Sequence, residues 1–235
     1  LRTLGSGLRI VMGKPEVEIP KLVQEYKAQK VFAKREVAFE ERQTERKVEK
    51  ELFKLRCEFE TVSTSTLYHA EDLPFSIKDI PDVFTNFRKK TEKEATIRKP
   101  FEGPVKINSP AIPAMELPTL EALGVIKTTI DPRAVLQFRG GESQAIQRLQ
   151  HYFYDTQCLS SYKETRNGMV GGDYSSKFSP WLALGCISPR FIHAEIKKYE
   201  KQFGANDSTY WLVFELLWRD FFRSKIRSCN CPCFR

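Results

Sequence analysis

The residues best able to do chemistry gather in three stretches of the second half of this 235-residue chain. "GGDYSSKFSPWLALG" (Gly171–Gly185) crowds Ser175, Ser176, Lys177, Phe178 and Ser179 at the entrance of a short helix, with Ser179 as N-cap, Pro180 in the first turn and Gly185 at the end. Free N–H groups, the helix dipole and hydroxyl donors together suit a phosphate or diphosphate. A plain capped helix behind a polar loop is the commoner use of such a pattern. "SYKETRNGM" (Ser161–Met169) sets Tyr162, Lys163 and Arg166 within about a turn, cations beside an aromatic face that suit a nucleotide or nucleic acid. A solvated charged turn closed by Asn167-Gly168 accounts for it more simply.

"STYWLVFELLWRDFF" (Ser208–Phe222) is the most apolar run, and a helix so greasy all round is buried on most sides. It nevertheless carries Glu215, Arg219 and Asp220. Glu215 and Arg219 are spaced i,i+4 and can pair, yet burying each charge costs several kcal/mol before pairing offsets it. Two readings stay open. One is a salt bridge at a helix–helix contact. The other is a ligand pocket, with Arg219 for an anionic or electron-rich group, Glu215 for a hydrogen-bond donor and Trp218 for a flat ring.

The elements that must position these residues divide the chain. "LRIVM" (Leu8–Met12), "KVFA" (Lys30–Ala33) and "CEFETV" (Cys57–Val62) have strand character. Between them lie a helix over residues 15–28, opened by Pro15, and a charged helix over Glu36–Leu55 striped by Val48, Leu52 and Leu55. That alternation predicts a parallel sheet with right-handed crossovers. No glycine-rich dinucleotide fingerprint follows any strand. Residues 63–141 hold most of the prolines and predict a long connection over the surface. From Gly140-Gly141 onward the periodicity is helical, with Ala145, Leu149, Tyr152 and Phe153 on one apolar face and Ser188-Pro189 opening a second Ser-Pro helix.

Composition narrows the partners. The net charge is +8, which favours polyanions, but four of those charges lie in the last thirteen residues. No apolar run approaches the roughly 18 residues of a membrane span. Cys57, Cys158 and Cys186 have the apolar surroundings of free thiols in an intracellular protein. Cys229, Cys231 and Cys233 are closer together than most zinc ligands, and an irregular basic tail explains them better than a metal site. The start lacks an initiator Met and any signal-peptide core, and has the character of an internal segment.

Taken together, "STLYHAEDLPF" (Ser65–Phe75), "IPDVFTNFRK" (Ile80–Lys89), "GGESQA" (Gly140–Ala145), "YKETRNGM" (Tyr162–Met169), "DYSSKFSPWLALGCISPRFI" (Asp173–Ile192) and "NDSTYWLVFELLWRDFF" (Asn206–Phe222) resemble the photolyase/cryptochrome family, in its cryptochrome DASH branch. The resemblance implies an α/β antenna domain (residues 1–75), an interdomain linker (76–139) and the first part of an all-α FAD-binding domain (140–222). Both domains would be incomplete, and a basic Cys-rich tail outside the family pattern (223–235) would follow. It implies blue-light-driven splitting of cyclobutane pyrimidine dimers, with the lesion flipped from single-stranded DNA into the FAD cavity.

By that resemblance Tyr162 and Ser175, Ser176, Lys177, Phe178 and Ser179 hold FAD, the run from Ser175 serving its phosphates, and Arg219 lies at the flavin. Glu215 contacts the dimer, Trp218 flanks the flipped lesion and Arg166 contacts DNA. A methenyltetrahydrofolate antenna would touch Glu36. Two positions depart from the pattern: Lys34 where the family usually has His, and Ser63-Thr64 where it usually has Trp-Gly. The full-length form is expected to be a monomer, and this 235-residue chain alone is expected to be inactive. A flavin photoreceptor without repair activity and a non-catalytic truncated product are the alternatives.

Overall fold

The computed structural model describes residues 1–113, 115–126 and 128–228. The Cys229, Cys231 and Cys233 cluster lies outside the described residues. Two compact units form, interleaved along the chain: residues 1–31, 47–58 and 101–134 make the first, and the remainder makes the second. Among the described residues no helix is long and apolar enough to cross a membrane.

In the first unit Pro15 opens α1 (Pro15–Tyr26), Glu16 and Glu18 face the positive end of its dipole, and Lys27 ends it in a left-handed conformation with φ 50°. Val23, Val48, Leu52 and Cys57 are buried there. The strands β1 (Lys30–Lys34) and β2 (Glu58–Val62) pair side by side. Their register is parallel: Glu58 N–H donates to Gln29 O and Arg35 N–H to Val62 O, each at 2.9 Å. The crossover between them is α2 (Phe39–Lys54).

Three expectations are corrected here. Residues 8–12 form no strand; Leu8 and Met12 are 58% and 62% exposed, and an apolar pattern without a hydrogen-bonded neighbour stays irregular. The charged helix begins at Phe39, so Glu36 precedes it; the Glu36 N–H instead donates to the Glu45 carboxylate at 2.8 Å. The stretch from residue 63 is not all surface connection. Leu67, Tyr68, Ile80, Phe84 and Phe87 are buried in the second unit, the last two on α3 (Phe84–Glu94). Apolar burial outweighs the proline signal in that part. Farther on the surface reading holds, with Phe101 and Val105 more than nine-tenths exposed.

The core of the second unit is built around α8 (Asp207–Ser228), with α3, the single turn α5 (Tyr162–Thr165) and α7 (Pro189–Phe203) against it. The Ser188 hydroxyl caps α7 by accepting from Arg190 N–H. α4 (Glu142–Gln150) continues into a π turn over His151–Asp155 and buries Ala145, Leu149, Tyr152 and Phe153. α6 (Ser179–Leu184) ends at Gly185, whose φ of 73° suits a residue without Cβ. α8 does not stop with its apolar run at Phe222; it continues to Ser228, where Lys225 reaches Asp82 at 2.6 Å and the Ile80 carbonyl at 3.0 Å.

Candidate functional site

One face of α8 forms the floor of an open groove of about 540 Å³. Leu212, Glu215, Arg219, Phe222 and Ile226 follow one another at helical spacing along it. Tyr162 from α5 and Ser176, Phe178 and Ser179 at the start of α6 complete the walls. Burial, with the nearby Glu215 carboxylate adding to it, pushes the Tyr162 hydroxyl up to about 12. Tyr162 therefore stays protonated and able to donate at any physiological pH.

The loop before α6 is shaped from behind by Arg148, which is 7% exposed. Its guanidinium donates to Gly172 O at 2.9 Å, Ser175 O at 3.1 Å, Ser176 O at 3.1 Å and Asp173 Oδ1 at 2.7 Å. Asp173 is also held by His151 at 3.1 Å. Burial works against ionised Asp173, but Arg148 and His151 hold its carboxyl below the usual range. In a trans peptide the C=O and N–H point opposite ways. Drawing the carbonyls of Gly172, Ser175 and Ser176 onto Arg148 thus turns the N–H groups of Asp173, Ser176 and Lys177 away from it. Among the described residues no N–H from Ser175 to Phe178 donates a hydrogen bond, and the hydroxyls of Ser175, Ser176 and Ser179 make none. These unmet donors, beside the Arg219 and Arg223 cations of the groove, are what a phosphate-bearing ligand needs.

The structure brings Tyr162, Ser176, Phe178, Ser179, Glu215 and Arg219 together and separates the other predicted residues. Ser179 makes no cap bond; it is the first residue of α6. Ser175 turns its carbonyl to Arg148, and the Lys177 ammonium lies over the Tyr174 ring, 3.4 Å from its centre. Trp218 does not line the groove but stacks on Phe84, ring centres 3.6 Å apart at 14°. Glu215 and Arg219 do not pair. Glu215 pairs with Arg166 at 2.8 Å, and Arg219 donates to the carbonyls of Ser65 and Leu182, the latter at 3.1 Å. Arg166 and Lys163 both lie over Trp211, 5.6 and 5.1 Å from its centre. Glu36 is bound by Lys34 at 2.6 Å and Arg223 at 3.1 Å. Burial opposes its ionisation, but those two cations keep its carboxyl below the usual range.

Sequence reasoning missed Arg148, Asp173 and Arg223. It noted Asp220 only as an oddity. The Asp220 carboxylate is fully buried and accepts from Leu67 N–H at 3.0 Å and Tyr68 N–H at 2.9 Å. With Arg219 on Ser65, neighbouring residues of α8 clamp the segment 65–68 beside the groove.

Residues 1–106 match the family model described as DNA photolyase. Cryptochrome DASH of Gloeobacter violaceus is 49% identical over 224 residues, 95% of this chain and 45% of that protein. Cryptochrome DASH of Danio rerio is 46% identical over 95% of this chain and 44% of its own length. The crystal structure of the Synechocystis cryptochrome superposes with a TM-score of 0.94 at 48% identity, covering 100% of this chain and 49% of that one. An Agrobacterium tumefaciens class III photolyase, 22% identical over 97% of this chain and 47% of its own, shares the fold with a TM-score of 0.81. The fold is that of the photolyases and cryptochromes, an α/β part with a short parallel sheet followed by helices. Within that family, the chain belongs to the cryptochrome DASH branch. It spans slightly under half the length of these relatives.

Proposed function

We propose that this chain supplies the α/β part and one wall of the flavin site of a cryptochrome DASH-type, FAD-dependent enzyme that splits cyclobutane pyrimidine dimers in single-stranded DNA under blue light. The carrying observation is the groove of α5, α6 and α8. Its loop of unmet N–H and hydroxyl donors fits a diphosphate, and its apolar floor, with Tyr162 and Arg219, fits a flat ring system. Tyr162, Ser176 and Ser179 would hold FAD directly; Ser175, Lys177 and Phe178 shape that loop, and Arg219 borders the ring. FAD supplies the light-driven electron transfer; this chain's residues bind it, orient it and hold the lesion. Arg166 pairs with Glu215 at 2.8 Å and keeps it on the groove, where its carboxyl oxygens are placed to accept from the N–H groups of a flipped pyrimidine pair. Trp218, backed by Phe84, is a rigid flank for that lesion rather than a flavin contact. Glu36 is the antenna contact of the proposal, with a folate competing for its present partners Lys34 and Arg223.

A chimera tests this, residues 1–222 of this chain joined to the remaining length of the Synechocystis relative. The expected result is light-dependent dimer cleavage by the chimera and none by this chain alone. Glu215→Ala should lower cleavage by about 10- to 100-fold, one charged hydrogen bond, with flavin content unchanged. A chimera that binds FAD and responds to light without cleaving dimers would favour a photoreceptor instead.

A further inference from the structure

The loop before α6 is gripped by two side chains, and only one of them has a fixed charge. Arg148 and His151 are spaced i,i+3, so they lie on one face where α4 ends. Both reach Asp173. Arg148 donates to Oδ1 at 2.7 Å, and His151 Nε2 stands 3.2 Å from Oδ1 and 3.1 Å from Oδ2. His151 sits where the α-helical ladder gives way to a π turn, a rare element frequent at functional sites. Its carbonyl accepts from the Thr156 N–H at 3.0 Å and the Thr156 hydroxyl at 2.9 Å, which fixes the backbone there. Among the described residues Asp173 is the one charged partner of His151. The His151 and Asp173 side chains are each 42% exposed, so the imidazole exchanges protons with solvent, whereas the buried Arg148 is always charged.

Asp173 puts a negative charge on a loop whose free N–H groups suit a phosphate. Arg148 spreads its single charge over that carboxylate and three carbonyls. With His151 neutral, Arg148 and Asp173 cancel; with His151 protonated, the three groups carry one net positive charge. A neutral imidazole still donates one hydrogen bond, but a charged donor binds a carboxylate more strongly. We propose that His151 is a positioning residue that makes the flavin site respond to pH: its protonation secures Asp173, steadies the loop 172–176 and tightens binding of the FAD diphosphate. The proposal rests on the reading of the groove as a flavin wall. A ligand with two negative charges favours protonated His151, and the coupling is reciprocal. Affinity is therefore highest at low pH and falls as pH rises through the range in which histidine loses its charge, about pH 5 to 8. Asp173 is ionised throughout that range, held there by Arg148 and His151 against burial, and Tyr162 is protonated throughout. Asp220 titrates in the same range, so the test compares variants that all retain it.

The test is the FAD affinity of the chimera with His, Gln or Arg at position 151, read from quenching of flavin fluorescence between about pH 5 and 8. His151→Gln keeps a neutral donor at every pH. The natural histidine should bind FAD about 5-fold tighter than this variant at the acid end, the difference between a charged and a neutral hydrogen bond, and equally at the alkaline end. His151→Arg keeps a cation at every pH and should bind about 5-fold tighter than His151→Gln at both ends. A constant ratio between His151 and His151→Gln at all pH values would show a merely structural residue and overturn the inference, leaving the groove reading intact. An affinity of His151→Arg no better than that of His151→Gln would overturn it as well. A chimera that folds but takes up no FAD at any pH would overturn both the inference and the groove reading.

Discussion

Asp220→Ala is expected to lower Tm by about 6–12 °C in a chain of this size, from a loss of about 3 kcal/mol. The two N–H groups of Leu67 and Tyr68 would lose their acceptor at a buried position, and a buried donor left unmet costs about 1–3 kcal/mol. The segment 65–68 would also lose half of the clamp that α8 places on it. Differential scanning calorimetry checks the size of the effect; a shift within a degree would show that the segment is held by packing alone. Asp220 also carries a pH signature. Burial raises its carboxyl to about 7, against the pull of its two N–H donors. The folded state then binds more protons than the unfolded state between about pH 4 and 7, so this group's contribution falls as pH rises through that window. Asp220→Asn removes the ionisation. The stability of the natural protein relative to that variant should therefore decline from pH 4 to 7 and stay level above it.

Arg148→Met should cost the chimera most of its flavin. The guanidinium is the common donor to three carbonyls and one carboxylate of the loop 172–176. Methionine fills the space but releases all four, so the peptide planes that present Ser176 and Lys177 N–H groups are free to rotate. FAD affinity should fall by about 100-fold or more, since four charged hydrogen bonds from Arg148 order the loop. Riboflavin, which lacks the diphosphate, should lose far less. Equal losses for FAD and riboflavin would mean that Arg148 only supports the fold, whereas unchanged FAD affinity would mean that this loop does not face the phosphates.

The helical half was largely legible because its signals are local. Ser188 with Pro189, Gly185 after "SPWLAL" and the periodic face of α4 mark their elements within a few residues. The residues that organise the site were not legible, for the opposite reason. Asp220 meets Leu67 and Tyr68 across some 150 positions of chain, and nothing in the helical period of α8 announces them. Arg148 in "ESQAIQRLQ" looks like any arginine on an amphipathic helix until the loop 172–176 closes over it. The i,i+4 spacing of Glu215 and Arg219 left a salt bridge between them open; Ser65 and Leu182, remote in sequence, take Arg219, and Arg166 takes Glu215. The Leu8–Met12 run failed as a strand because alternation identifies a face and not a partner.

The most direct test is the flavin spectrum of two purified proteins, this chain alone and the chimera that completes its length. The proposal predicts a chimera with one FAD per chain and the absorption bands of a bound flavin, and a chain alone that purifies without them. A chimera that folds but carries no flavin would contradict the groove as a flavin wall. Stoichiometric flavin on the chain alone would contradict its being only one wall.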